Sequence, residues 1–207
     1  MPQQSSVATK ANEISNKLFA DDGLTIPIAE KPSVSKLAQG LDRTMVLGGG
    51  GEYYIAWYCG FFHGLIEAGL DMVQLPEMVV GTSAGSLVAA LYASGKNSAQ
   101  LRRVAETMEE AEITDWMMPI LNRGALRGEA LARYVNTQVG NRLIEQMKIP
   151  LGIVATDLHN GEPVLFRRGN TGSAVRASSA VPAVFQPVKI GSREYVDGGL
   201  VAPVPVR

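Results

Sequence analysis

The chain has 207 residues, 46% of them hydrophobic and 19% charged, and its 19 Lys and Arg against 20 Asp and Glu leave a formal net charge of −1. Such a chain can bury a substantial core in one main domain, and its scattered basic residues form no footprint for nucleic acid, which is excluded as a partner. The single cysteine, Cys59, rules out an internal disulfide and any C-x-x-C metal spacing, so no metal or other cofactor is expected.

Residues 1–40 are rich in Ser, Asn, Lys, Asp and Gln and are interrupted by Pro27 and Pro32. They read as a peripheral extension, partly disordered or carrying a short helix near Ala11–Phe19. Residues 41–207 form the domain proper. No basic-then-apolar leader opens the chain, so a cytoplasmic protein is expected, with leaderless export left open. The uncharged run Met78–Gly95 contains Gly81, Thr82, Ser83, Gly85, Ser86 and Ser94 and is too polar for a membrane span.

From Thr44 the pattern alternates between strand and helix. Thr44–Leu47 predicts a short strand running into Gly48–Gly51, and Tyr54–Ala68 predicts a helix stopped at Gly69. Met78–Val80 predicts a buried strand, followed after Gly81 by a small-residue helix over Ala84–Ser94. More polar helices are expected over Ser98–Glu112 and Glu129–Gln138. Pro150–Thr156 is apolar throughout, as a parallel strand covered on both faces would be. Further strands are expected at Pro163–Arg167, Pro187–Ile190 and Arg193–Val196, the last delivering Asp197 into Gly198-Gly199. This order predicts an α/β layered fold.

Gly81-Thr82-Ser83-Ala84-Gly85 is a G-x-S-x-G between a predicted strand and a predicted helix, which is the context of a nucleophile elbow. Gly81 and Gly85 leave room for the crowded backbone on either side of the turn. The serine oxygen then projects beside unpaired N–H groups at a helix N-terminus, where developing negative charge is favoured. A serine hydroxyl needs a base, and only His63 and His159 are available as histidines. His63 falls inside the first helix and His159 in the turn signal Asp157-Leu158-His159-Asn160-Gly161, so neither fits a histidine that follows the acid in a three-residue triad. A carboxylate is the alternative base. Asp197 before two glycines suits that role, although a plain turn aspartate has the same sequence context.

The run Gly48–Gly51 admits several readings. A P-loop needs Gly-Lys-Ser/Thr at its end, and a dinucleotide fingerprint needs glycine at 53 or 54. The chain has Glu52-Tyr53-Tyr54 instead. An oxyanion hole remains, since bare glycines can aim N–H groups at a carbonyl oxygen, each donor being worth about 10²–10³ in rate. A flexible turn is the other possibility. Met117, Met118, Val181 and Phe185 are candidates for an acyl groove, with core packing the alternative for each.

In order, Leu47–Gly51, Glu67-Ala68-Gly69, Val80–Ser86, Val154–Leu158 with Gly161-Glu162-Pro163, Arg176–Pro182 with Phe185 and Pro187, and Asp197-Gly198-Gly199 together resemble the patatin-like phospholipases from about Met45 onward. The resemblance implies a three-layer fold with a mostly parallel central sheet between helices. It also implies a phospholipase A-like acyl hydrolase working through a Ser-Asp dyad and an acyl-enzyme, without metal. By motif match Ser83 is the nucleophile, Asp197 the base, and Gly49, Gly50 and Gly51 the oxyanion-hole segment. The implied partners are a phospholipid or other acyl lipid and, transiently, a membrane surface, while oligomeric state is left open. Two departures stand out. Glu52-Tyr53-Tyr54 replaces the family's basic residue and further glycine, and Arg207 follows Asp197 by only ten residues, so C-terminal truncation is expected. These departures keep a non-catalytic lipid-binding module in play, beside a thioesterase or acyltransferase using the same dyad.

Overall fold

A computed structural model of the protein describes residues 43–69, 76–108 and 126–206. The expected extension at residues 1–40, the end of the polar helix at Glu112, and the groove candidates Met117 and Met118 lie outside the described residues.

The described chain forms β1 (Thr44–Leu47), α1 (Glu52–Glu67), β2 (Met78–Thr82), α2 (Ala84–Ala93), α3 (Ser98–Thr107), α4 (Glu129–Gln138), β3 (Leu151–Asp157), β4 (Pro163–Phe166), α5 (Thr171–Ser178), β5 (Val188–Ile190) and β6 (Arg193–Asp197), with short 3₁₀ turns at Ile144–Gln146 and Gly198–Leu200. The expected α/β architecture is present, with a six-stranded sheet flanked by helices. β1, β2 and β3 pair in parallel, β6 and β4 each run antiparallel to β3, and β5 runs antiparallel to β6. Strands β1, β2, β3 and β5 therefore point one way, and β4 and β6 the other.

Strand pairing decides where the site can form. β4 takes one edge of β3 over Ile153–Thr156, so β2 and β6 must share the other edge. β2 occupies it as far as Thr82↔Val154, and β6 runs the opposite way up to Ala155↔Asp197. The C-terminal ends of β2 and β6 thus meet head to head at adjacent rungs of one strand. Side chains alternate along a strand, so Asp197 points to the same face as Ala155.

That face carries the main core. Val79, Leu151, Ile153, Ala155, Phe166, Val188 and Tyr195 from the sheet pack with α1, α2, α4 and α5 in one cluster. A smaller cluster of Met78, Val80, Val154 and Leu165 lies on the opposite face. Every residue of α2 is buried, which explains its all-round small and apolar sequence. α3 has the opposite character and begins at a capping box. The Asn97 side chain accepts from Gln100 N–H at 2.9 Å, and the Gln100 side chain accepts from Asn97 N–H at 3.0 Å.

Most predicted elements occur within two residues of their expected bounds. α1 starts at Glu52 rather than Tyr54 because Gly51, at φ +72°, turns the chain directly into the helix. α5 was not expected. Thr171-Gly172-Ser173-Ala174 is poor in helix formers, but the Asn170 side chain caps it by accepting from Ser173 N–H at 2.8 Å, and six of its eight residues are buried. Tertiary packing, not propensity, makes this helix. Among the described residues no helix is long and apolar enough to cross a membrane.

Candidate active site

Ser83 sits between β2 and α2 with φ +53° and ψ −123°. A non-glycine residue held in that region costs about 1–3 kcal/mol, which neighbouring contacts must offset. Those contacts are close. A Cβ on Gly81 would lie 2.6 Å from Ser86 Cα, and one on Gly85 would lie 2.6 Å from the Leu47 backbone carbon. Glycine at both positions is therefore a matter of space: the elbow is pressed against β1 and its own helix. Ser83 N–H donates to Ser178 Oγ at 2.8 Å, and Ser178 Oγ donates to Val154 O at 2.5 Å. The last residue of α5 thus ties the elbow to β3. Ser86 Oγ donates to Ser83 O at 2.6 Å and closes the turn from the helix side.

Ser83 Oγ donates to Asp197 Oδ2 at 2.8 Å. The other carboxylate oxygen, Oδ1, accepts from Gly199 N–H at 2.6 Å. The backbone of Asp197 is equally constrained: its N–H donates to Ala180 O at 2.9 Å, and its carbonyl accepts from Thr156 Oγ1 at 2.8 Å. Asp197 is only 5% exposed. Burial pushes its carboxyl above the ordinary carboxylate value, against the opposing pull of the Gly199 N–H and the Ser83 hydroxyl. A desolvated carboxylate holding a hydroxyl in this way is placed to accept its proton as the oxygen attacks an electrophile.

The glycine loop lies against the same elbow, and a Cβ on Gly49 would lie 3.2 Å from Ser83 Cβ. The three glycines expected to form an oxyanion hole are not equivalent. Gly49 N–H donates to Pro203 O at 2.8 Å and is already committed. The N–H groups of Gly50 and Gly51, and those of Ala84 and Gly85 at the start of α2, have no hydrogen-bond partner among the described residues. Gly50 and Gly51 are exposed.

One peptide group orients this loop. Its carbonyl, Gly48 O, accepts from Tyr58 Oη at 3.1 Å, and its N–H, on Gly49, is the group bound by Pro203. The Gly48–Gly49 peptide is therefore held from α1 on one side and from the segment after Asp197 on the other. Thr82 Oγ1 also donates to that segment, at Ala202 O, 2.9 Å away. Tyr58, Ser178, Thr82, Thr156 and Pro203 were not singled out in the sequence. Tyr58 and Pro203 act from outside any motif, through contacts that only the folded chain creates.

The histidines are elsewhere. His63 Nε2 faces Glu67 Oε1 at 3.3 Å along α1, and His159 lies in the exposed turn after β3, where its backbone N–H donates to Asp157 Oδ1 at 2.8 Å. Of the described groove candidates, Phe185 packs against the main core and Val181 is 42% exposed.

A sequence model described as patatin-like phospholipase matches residues 45–207. An uncharacterised NTE family protein of Mycobacterium tuberculosis (strain H37Rv) is 34% identical over 163 residues, covering 78% of this chain and 44% of that protein. The patatin-like phospholipase domain-containing protein 6 of Mus musculus is 26% identical over 180 residues, covering 83% of this chain and 13% of that protein. The chain therefore spans less than half the length of these relatives. Among solved structures, the crystal structure of VipD from Legionella pneumophila shares the fold with a TM-score of 0.56 at 16% identity, over 87% of this chain and 48% of that one.

Proposed function

The chain belongs to the patatin-like phospholipase family, and from that premise we propose that it is a lipid acyl hydrolase, phospholipase A-like, in which Ser83 is the nucleophile and Asp197 the sole general base. The observation that carries this reading is the 2.8 Å hydrogen bond from Ser83 Oγ to a buried carboxylate, with no histidine side chain hydrogen-bonded to either group among the described residues.

In the forward step Ser83 Oγ attacks the ester carbonyl while its proton passes to Asp197 Oδ2. The carbonyl oxygen becomes an oxyanion, received by the uncommitted amides of Gly50 and Gly51 and by the N-terminus of α2. Collapse of the tetrahedral intermediate breaks the bond to the alcohol, which leaves with the proton held by Asp197. Water then attacks the acyl-enzyme, Asp197 taking its proton, and fatty acid is released as Ser83 is reprotonated. No third residue is required, because the carboxylate makes direct contact with the hydroxyl. The substrate is an acyl ester of a glycerophospholipid, met transiently at a membrane surface.

The test is fatty-acid release from phosphatidylcholine presented in mixed micelles, measured by mass spectrometry. Free fatty acid and lysophospholipid should appear together. Turnover of an acyl thioester, or transfer to an added alcohol, with no release from glycerolipid would favour the thioesterase or acyltransferase alternative.

The braced peptide supports a second expectation. Tyr58→Phe removes the donor to Gly48 O and nothing else, so the loop amides lose alignment while the substrate's remaining contacts stay. Loss of one neutral hydrogen bond corresponds to a kcat fall of roughly tenfold or less, with KM nearly unchanged. Steady-state kinetics on a soluble ester would show it. A change confined to KM would mean that Tyr58 does not act through the oxyanion loop.

A further inference from the structure

α1 is apolar on two faces. One is buried, through Ile55, Tyr58, Cys59 and Phe62. The other is not: Tyr53 is 82% exposed, Trp57 57% and Phe61 45%, and these residues, spaced four apart, form one stripe along the helix. Trp57 and Phe61 stack with ring centroids 5.3 Å apart and planes 6° from parallel, so the stripe is a set surface of aromatic planes. Between Glu52 and Glu67 the helix has no Asp, Glu, Lys or Arg. A helix apolar all round is ordinarily buried all round, so an outer face of this kind has an unstated occupant.

We propose that the outer face of α1 is the surface by which this protein docks on a phospholipid bilayer, with the helix lying in the plane of the headgroup boundary and the mouth of the Ser83 site turned to the membrane. This rests on the lipid-hydrolase reading given above.

Three observations favour lipid over a protein partner. First, two of the three stripe residues, Tyr53 and Trp57, combine an apolar ring with a polar group and are of the types enriched at the membrane–water boundary, with Phe61 adding a purely apolar ring. Second, no charged side chain on the stripe would have to be stripped of water as it enters the headgroup layer. Third, the stripe is continuous with the site. α1 begins one residue after the glycine loop, and on that loop a Cβ at Gly48 would lie 3.0 Å from Val204 Cγ2. Val204 is exposed, as are Leu200 and Val201 between it and Asp197. Exposed apolar side chains therefore stand both on the helix that leaves the glycine loop and on the segment after Asp197 that packs against that loop. A lipid entering from a bilayer seated on these side chains would present its ester to Ser83 without crossing water. α1, at 16 residues, is too short to span the bilayer, so it lies on the surface.

The experiment uses the Trp116→Phe background, in which Trp57 is the only tryptophan. Vesicles of phosphatidylcholine, alone or mixed with phosphatidylglycerol, should shift Trp57 emission to the blue and should quench it when the acyl chains are brominated. Tyr53→Ser combined with Trp57→Ser should lower co-sedimentation with vesicles at least about tenfold, with thermal unfolding and turnover of a monomeric short-chain ester unchanged. Insertion of Trp57 without hydrolysis of any ester would leave the docking surface standing and remove the hydrolase reading. Ester hydrolysis with Trp57 emission indifferent to vesicles would overturn the docking surface. So would a dimer in light scattering that the double variant dissolves, because a second copy would then cover the stripe.

Discussion

Ser83→Ala should abolish ester hydrolysis, lowering kcat by roughly 10⁵-fold or more, in a protein that still folds. The side chain removed is the proposed attacking group, and no other hydroxyl is hydrogen-bonded to Asp197 Oδ2 among the described residues. What remains should be the small effect of an oxyanion site that stabilises attack by water. The strain at the elbow makes a second substitution informative. Ser83 holds φ +53°, which alanine must also adopt and glycine adopts freely. Ser83→Gly should therefore be as inactive as Ser83→Ala yet melt at a higher temperature, since about 1–3 kcal/mol of backbone strain is relieved. Equal melting temperatures would mean that the elbow is not strained in solution.

Asp197→Asn should cost roughly 10³–10⁴ in kcat, and its effect on stability should have the opposite sign. The Asp197 carboxyl is held above the ordinary carboxylate value chiefly by burial, with the Gly199 N–H and the Ser83 hydroxyl opposing. A carboxyl raised on folding stabilises the fold where it is protonated, and that contribution is lost as pH rises through the folded value. At neutral pH the ionised group therefore destabilises the protein. Asn keeps an oxygen for Gly199 N–H and removes the buried charge. The variant should melt at or above the wild type near neutrality, and its advantage should shrink in acid, where Asp197 is neutral in both folded and unfolded chains. Catalysis needs the ionised form, so kcat/KM of the wild type should fall with decreasing pH through a value higher than that of a free aspartate. An acid limb at or below the ordinary aspartate value would show that another group is the base.

The strands and most helices were legible because their signals are local. β3 is apolar at nearly every position because both its faces are covered, and the glycines at 81 and 85 announce a turn too crowded for a side chain. α5 was not legible, because its small polar residues have no helical preference and are held by a cap and by burial. Ser83 and Asp197 could be nominated from their motifs and from the absence of a suitably placed histidine. That they meet follows from β2 and β6 each pairing with the same edge of β3, which brings together two residues 114 positions apart in a way that no local pattern records. The glycine loop was legible only in outline. Its four consecutive glycines are visible in the sequence, but the commitment of the Gly49 N–H to Pro203 depends on how the chain returns after Asp197. The bracing by Tyr58 depends on one helical turn of α1 facing Gly48.

Intact-mass spectrometry after treatment with a fluorophosphonate tests the central claim most directly, because the reagent reports an activated serine without any choice of lipid. The wild type should gain the mass of one adduct, mapped to the peptide containing Ser83. Ser83→Ala should gain none, and Asp197→Asn should label far more slowly. A folded wild-type protein that stays unlabelled, or one that labels equally well after Asp197→Asn, would contradict a serine activated by this aspartate.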